Sequence, residues 1–149
     1  MGLFSSLFGK ASRTEQFEEA KKARNDFLAT ASVDPEAAAF NAASALMLDQ
    51  RFRETIEAYA RLGEQYPERR GDCESQIGAA QYFLGELSQA LDSYVRARDH
   101  GADQDMMDDN IWEVCEALHK KGDGKAVARY LELCPKGKYV KKARKLGGN

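Results

Sequence analysis

The side chains that could perform chemistry in this 149-residue chain are few and widely separated. The three cysteines, Cys73, Cys115 and Cys134, form no C-x-x-C pair. The two histidines, His100 and His119, stand at no metal-ligand spacing from a cysteine. A disulfide scaffold and a zinc site are therefore unsupported, and reduced thiols fit a cytoplasmic protein. Because the sequence also lacks a nucleophile–base pair and a phosphate-binding glycine loop, we expect a protein that is not an enzyme and needs no cofactor.

One acidic cluster is superficially similar to a calcium loop. It lacks the glycine and the bidentate glutamate of the twelve-residue calcium loop. Carboxylates are also favourable at a helix N-terminus, where they complement the helix dipole. We therefore predict a helix start and no metal site at these aspartates, which are Asp103, Asp105, Asp108 and Asp109.

The net charge of −2 hides an uneven distribution. Residues 1–33 hold five basic and four acidic side chains, a net charge of +1. Residues 34–110 hold seven basic and 16 acidic side chains, a net charge of −9, and residues 111–149 hold ten basic and four acidic, a net charge of +6. With 43% apolar residues the chain is too apolar for a disordered protein, and it has no apolar run near the ~20 residues of a membrane span.

The apolar spacing predicts an all-α fold. From about Thr14 to Lys145 apolar residues recur every three or four positions, which is the helical period. Asp34 followed by Pro35 predicts a capped helix start, and Pro67 predicts a helix end after Tyr66. Glycines at 101 and 122 stand where helices are expected to stop.

A pattern repeats about every 35 residues. Stepping 35 residues from Phe52 reaches Leu87, and the same step from Tyr59 reaches Tyr94. Small residues recur on the preceding helices at Ala43, Gly78 and Cys115, before the turn residues Gln50, Gly85 and Gly122. A small residue on one helix and an aromatic on the next predict a two-helix unit whose helices approach closely and that must stack on its neighbours.

This pattern resembles the tetratricopeptide repeat, a two-helix unit of about 34 residues. The resemblance covers roughly residues 15–146. It implies a right-handed superhelical stack of antiparallel helix pairs, an α-solenoid. The units are a half repeat at 14–33, repeats at about 36–70, 71–102 and 107–135, and a capping helix at 138–146. The second unit keeps Gly78, Ala90 and Tyr94, whereas the third has an early Pro135 and a turn that is one residue short.

The resemblance also implies a concave groove lined by the first helix of each unit. Its carboxylates would repel an acidic C-terminus, so a neutral or basic protein segment is the expected ligand. The alternative is that the aromatic residues pack between repeats. The implied groove residues are Phe40, Asn41, Ser44, Gln76, Tyr82, Phe83, Trp112, Glu113 and Glu116.

Residues 1–13 differ from the rest of the chain in composition. As a helix they would place Leu3, Phe4, Leu7 and Phe8 on one face, but they do not form a convincing signal peptide. Three interpretations remain open: an amphipathic contact with a membrane or partner, N-myristoylation at Gly2 in a eukaryotic source, or a segment that covers the incomplete first unit.

The favoured function is a cytoplasmic, non-enzymatic adaptor or scaffold that binds a protein or peptide. A peripheral membrane assembly factor tethered by residues 3–8 is one alternative. Self-association, with the acidic middle of one chain against the basic end of another, is a second. Nucleic-acid binding by the basic C-terminal run is disfavoured, because only Tyr139 is near enough to stack on bases.

Overall fold

The structure, a computed structural model, describes residues 12–28 and 34–147. These residues form eight α-helices and a short 3-10 turn at Pro67–Arg69, and they contain no strand. The predicted all-α class is therefore confirmed for the described part of the chain. The helices are α1 Arg13–Leu28, α2 Pro35–Leu48, α3 Phe52–Gln65, α4 Arg70–Phe83, α5 Leu87–Asp99, α6 Gln104–Lys120, α7 Ala126–Leu133 and α8 Val140–Gly147.

Short polar side chains start three of these helices. The Asp34 carboxylate accepts a hydrogen bond from Ala37 N–H at 3.0 Å, and Pro35 occupies the first turn as predicted. At the start of α6 the Asp103 carboxylate accepts from Met106 N–H at 2.8 Å. Ser12 and Glu15 bond reciprocally before α1, which forms a capping box.

The predicted turn residues adopt the left-handed backbone conformation that ends a helix. Gln50, Gly85 and Gly122 have φ values of 59°, 79° and 98°, and Gly101 has 90°. After each of them the next N–H donates to a carbonyl five residues back, as Glu86 does to Gln81 at 2.9 Å. The helices therefore end where the sequence predicts, because the turn chemistry is local.

Each helix packs against the next along the chain. In the pair α4–α5, Gly78 faces the ring of Tyr94 so closely that a Cβ atom on Gly78 would lie 2.8 Å from it. Ser93 Oγ donates to Gln81 at 2.6 Å one turn away, so the two helices run antiparallel. The equivalent residues Ala43 with Tyr59, and Cys115 with Tyr130, share core clusters in the neighbouring pairs.

Helix α1 buries Phe17, which is 1% exposed. The Phe17 ring centroid lies 6.1 Å from that of Phe52 and 5.4 Å from that of Phe83. Besides packing on α2, this helix therefore contacts the beginning of α3 and the end of α4.

Candidate functional site

A cavity of about 240 Å³ lies where α2, α4 and the start of α6 converge. We call it the α2–α4–α6 cavity. Two of the predicted groove residues, Phe40 and Gln76, line it. The wall is mostly apolar but carries charged groups at its edge, which is the composition of a site for a protein side chain. The complete lining is Phe40, Tyr59, Arg69, Asp72, Ser75, Gln76, Ala102, Asp103, Met106 and Met107.

Phe40 is half-buried at one side of this cavity. Its ring lies edge-on to Tyr59 at 6.2 Å, and the Arg69 guanidinium lies 4.3 Å from its centroid. Arg69 is held there by Glu36 at 3.1 Å and by Asp72 at 3.0 Å. The hydrogen bond with Asp72, followed by that with Glu36, raises the pKa of Arg69, so this cation is already matched by two carboxylates.

Ser75 is the polar residue of the cavity wall that most suggests a ligand. It is 5% exposed, and within the described residues its hydroxyl has no hydrogen-bond partner. A buried hydroxyl without a partner costs roughly 1–3 kcal/mol, so such groups usually serve a purpose. Ser75 stands one position before Gln76 on the predicted inward face of α4. Its missing partner depends on the surrounding fold, which the sequence pattern does not encode.

Met106 is a cavity residue that the repeat pattern missed. It is 36% exposed, whereas the other described methionines, Met47 and Met107, are buried, and it lies in the first turn of α6 beside the Asp103 cap. The repeat boundary at about residue 107 excluded it. An apolar residue three positions after a predicted capping aspartate, within an acidic run, was the signal available.

The other predicted residues of α2 do not line the cavity. Asn41 is half-buried. Ser44 is also half-buried, and it lies near Tyr59, a core residue whose pKa burial raises to about 12.

The two predicted groove residues at the end of α4, Tyr82 and Phe83, pack against different core clusters. Phe83 stacks on Phe52 at 5.5 Å and belongs to the aromatic cluster around Phe17. Tyr82 is half-buried and faces α6. Burial is the main cause that raises its pKa, and the charges of Glu113 and Glu116 add to it. Only Tyr82 of this pair thus lies beside the predicted groove carboxylates.

The part of the predicted groove on α6 is covered by the C-terminal segment. Trp112 is 2% exposed, and it stacks on Tyr139 at 5.3 Å and contacts Tyr130 edge-on at 5.0 Å. Glu116 forms ion pairs with Lys142 at 2.7 Å and Lys120 at 3.6 Å. Trp112 is therefore a core residue here, in line with the alternative that aromatics pack between elements.

A polar junction that the sequence did not predict fixes this segment. Tyr130 Oη donates to the buried Asp108 carboxylate at 2.6 Å, and Lys138 N–H donates to its other oxygen at 2.7 Å. Tyr139 N–H donates to Tyr130 Oη at 3.2 Å, and Tyr139 Oη donates to Asp109 at 2.8 Å. Burial first, and then the bond with Asp108, raises the pKa of Tyr130, so this hydroxyl keeps its proton.

Three of the four aspartates in the acidic cluster have structural roles. Asp103 caps α6, while Asp108 and Asp109 accept bonds from the C-terminal segment. Within residues 12–28 and 34–147 no three histidine, cysteine or acidic side chains are grouped as a metal would require. His100 instead lies 2.6 Å from the buried carboxylate of Glu74.

The three thiols are buried and free of disulfides. Burial raises the pKa of Cys73 to about 11, of Cys115 to about 12 and of Cys134 to about 11. A thiol that keeps its proton at neutral pH is a weak nucleophile, so these cysteines act here as small core residues.

The predicted contact residues Leu3, Phe4, Leu7 and Phe8 lie outside the described residues. Among the helices that are described, none has the length and apolar character needed to cross a bilayer. In comparisons with known proteins, no family model matches this chain and no curated protein is significantly similar to it.

Proposed function

We propose that this protein is a non-enzymatic interaction module that holds a neutral or basic protein segment in the α2–α4–α6 cavity. The observation that carries the proposal is the unpartnered Ser75 hydroxyl in a wall that also exposes the apolar side chain of Met106. A bound peptide can place an apolar side chain against the apolar part of this wall. Its backbone can also supply the hydrogen-bond partner that the Ser75 hydroxyl lacks.

The charges around the cavity favour a neutral or basic ligand. Arg69 is the only cation among the described residues that line the cavity, and Glu36 and Asp72 already bind it. Asp103 adds a further carboxylate to the lining. A ligand carboxylate would therefore meet repulsion, whereas a lysine or arginine would find acidic partners.

We also propose that the pairs α2–α3, α4–α5 and α6–α7 are tetratricopeptide-like units in a right-handed solenoid, with α8 as its cap. Support comes from the 35-residue period, the repeated helix ends and the contact of Gly78 with Tyr94. A reducing compartment such as the cytoplasm is proposed because the three thiols are free.

The test is selection of a displayed library of random twelve-residue peptides on the full chain. Enriched peptides are synthesised, and their affinities are measured by fluorescence polarisation. We expect neutral or basic peptides with an apolar anchor, and we expect Met106→Lys to weaken them about tenfold or more. Gln89→Lys, the same charge change on the exposed face of α5, is the matched control.

Ser75→Ala separates a ligand group from a structural one. Removing an unpaired hydroxyl should leave the free energy of unfolding unchanged or higher, and should lower peptide affinity. Enrichment of acidic peptides, or binding that is equal in Met106→Lys and Gln89→Lys, would refute the proposed site.

A further inference from the structure

A second open groove runs between α2 and α3, away from the α2–α4–α6 cavity. Its volume is about 450 Å³, and the described residues that line it all belong to α2 and α3. We call it the α2–α3 groove. Four alanines and two leucines line it, and Arg61 and Gln65 are the polar residues of its lining. The apolar lining residues are Ala39, Ala42, Ala43, Leu46, Ala58 and Leu62.

The position of this groove makes its exposure costly. α2 and α3 form the first helix pair, and a row of packed helices needs a polar cover at each end. α8 supplies such a cover at the other end, with lysines on its exposed side. The described part of α1 does not line the α2–α3 groove, and its Phe17 ring packs on Phe52 and Phe83.

We propose that the α2–α3 groove is the docking site of residues 3–8 of the same chain. This segment offers four large apolar side chains, Leu3, Phe4, Leu7 and Phe8, and there is no charged side chain from Gly2 to Gly9. The described residues that line the groove include four alanines and no carboxylate. The α2–α4–α6 cavity, edged by carboxylates, suits an uncharged apolar segment less well.

The segment can reach the groove. The Arg13 guanidinium lies 5.2 Å from the ring centroid of Phe52, so α1 begins beside the first residue of α3. Along α3, Ala58 is about 9 Å and Leu62 about 15 Å from Phe52. Residues 9–12 span up to about 14 Å when extended, which brings Phe8 to the nearer end of the groove.

This inference does not depend on the peptide-binding proposal. The two sites use different faces of α2, with Phe40 on one and Ala39, Ala42 and Leu46 on the other. Peptide affinity at the cavity should therefore be the same whether or not the α2–α3 groove is blocked, and either proposal can fail alone.

The experiment places the photoreactive residue p-benzoylphenylalanine at position 8 of the full chain. After irradiation and proteolysis, we expect mass spectrometry to find cross-links to peptides of α2 or α3. Ala42→Glu puts a carboxylate on an exposed position of the groove and should lower that yield about tenfold. Ala128→Glu, the same change at an exposed alanine of α7, should leave it unchanged.

A second measurement does not rely on a groove variant. Replacing Phe4 and Phe8 together by Ser should speed amide hydrogen exchange in residues 39–46 while leaving α6 unaffected. The proposal is overturned by unchanged exchange, or by cross-links that Ala42→Glu does not reduce. It is equally overturned if mixing with an isotope-labelled copy shows cross-links to a second chain, or if added phosphatidylglycerol vesicles capture the photoreactive residue instead.

Discussion

The two ends of this row of helices are attached in different ways. At the C-terminal end, aromatic stacking of Trp112 on Tyr139 and hydrogen bonds to Asp108 hold the segment that leads into α8. At the N-terminal end, α1 packs through the ring of Phe17 with the Arg13 guanidinium over Phe52, and the α2–α3 groove is open among the described residues. The C-terminal end thus has a buried polar junction in addition to its ring packing.

The uneven charge distribution along the chain also contributes to the attachment of the C-terminal end. Lys138 pairs with Asp109 at 3.0 Å and Lys142 with Glu116 at 2.7 Å, so basic end and acidic helix meet within one chain. The self-association hypothesis assigned such pairs to two chains, and it remains a prediction for the carboxylates elsewhere.

The largest effect is expected from removing the Trp112 ring. Trp112→Ala should lower the free energy of unfolding by about 3–5 kcal/mol, because a buried indole leaves a large cavity. The measurement is denaturation by urea. Phe17→Ala deletes a buried ring at the other end, and it should change the main transition much less because α1 can detach alone. Equal losses in the two variants would refute the difference between the ends.

Asp108→Ala should have the next largest effect. It removes the acceptor of two hydrogen bonds and leaves the buried Tyr130 hydroxyl without its acceptor, at a cost of about 2–3 kcal/mol. The same urea titration measures the change. Asp108→Asn keeps the shape and one oxygen acceptor, so it should recover part of the loss, and an alanine variant as stable as wild type would show that the junction is dispensable.

The thiols report how each end opens. Cys73 packs with residues of the first helix pair, whereas Cys115 and Cys134 belong to the cluster that Trp112 and Tyr130 share. Because alkylation requires exposure, iodoacetamide at pH 8 should modify Cys73 about tenfold faster than the other two. Mass spectrometry of timed samples gives the three rates. Three equal rates would mean that both ends open together.

The smallest effect on stability is expected from lowering the pH. Burial acts to raise the pKa of Glu116, but its bonds with Lys142 and Lys120 outweigh this and lower the pKa below the ordinary 4.5. The stability from this pair is therefore present above pH 4.5 and is lost as the pH falls through the lowered value. Lys142→Met should reduce the acid sensitivity of urea unfolding by less than about 1 kcal/mol. Lys141→Met is the control, and an equal reduction in it would contradict this assignment.

Features set by neighbouring residues were predictable from the sequence. The left-handed turns at Gln50, Gly85 and Gly122 follow from local backbone chemistry, and the period placed Gly78 opposite Tyr94. The burial of Trp112 was not predictable in this way. Its position on α6 faces inward in the repeat pattern, and the ring that covers it, Tyr139, lies 27 residues later in a segment outside the repeat.

The candidate site was predictable only in part for the same reason. Phe40 and Gln76 were placed by their positions in the repeat, and both line the cavity. Arg69 covers Phe40 and Ser75 lacks a partner because of the way α2, α4 and α6 converge. Such properties arise from three helices at once, and a single-helix periodicity does not contain them.

The contact between Gly78 and Tyr94 limits how this sequence can evolve. Glycine inside a helix is about 1 kcal/mol less favourable than alanine, so alanine would be favoured at position 78 if helix propensity alone decided. If Gly78 changed to alanine first, the new Cβ atom would collide with the Tyr94 ring. If Tyr94 changed to a smaller residue first, the change would leave a void beside Gly78. Either order passes through a destabilised intermediate, so descendants of this chain should keep both residues or exchange them as a pair.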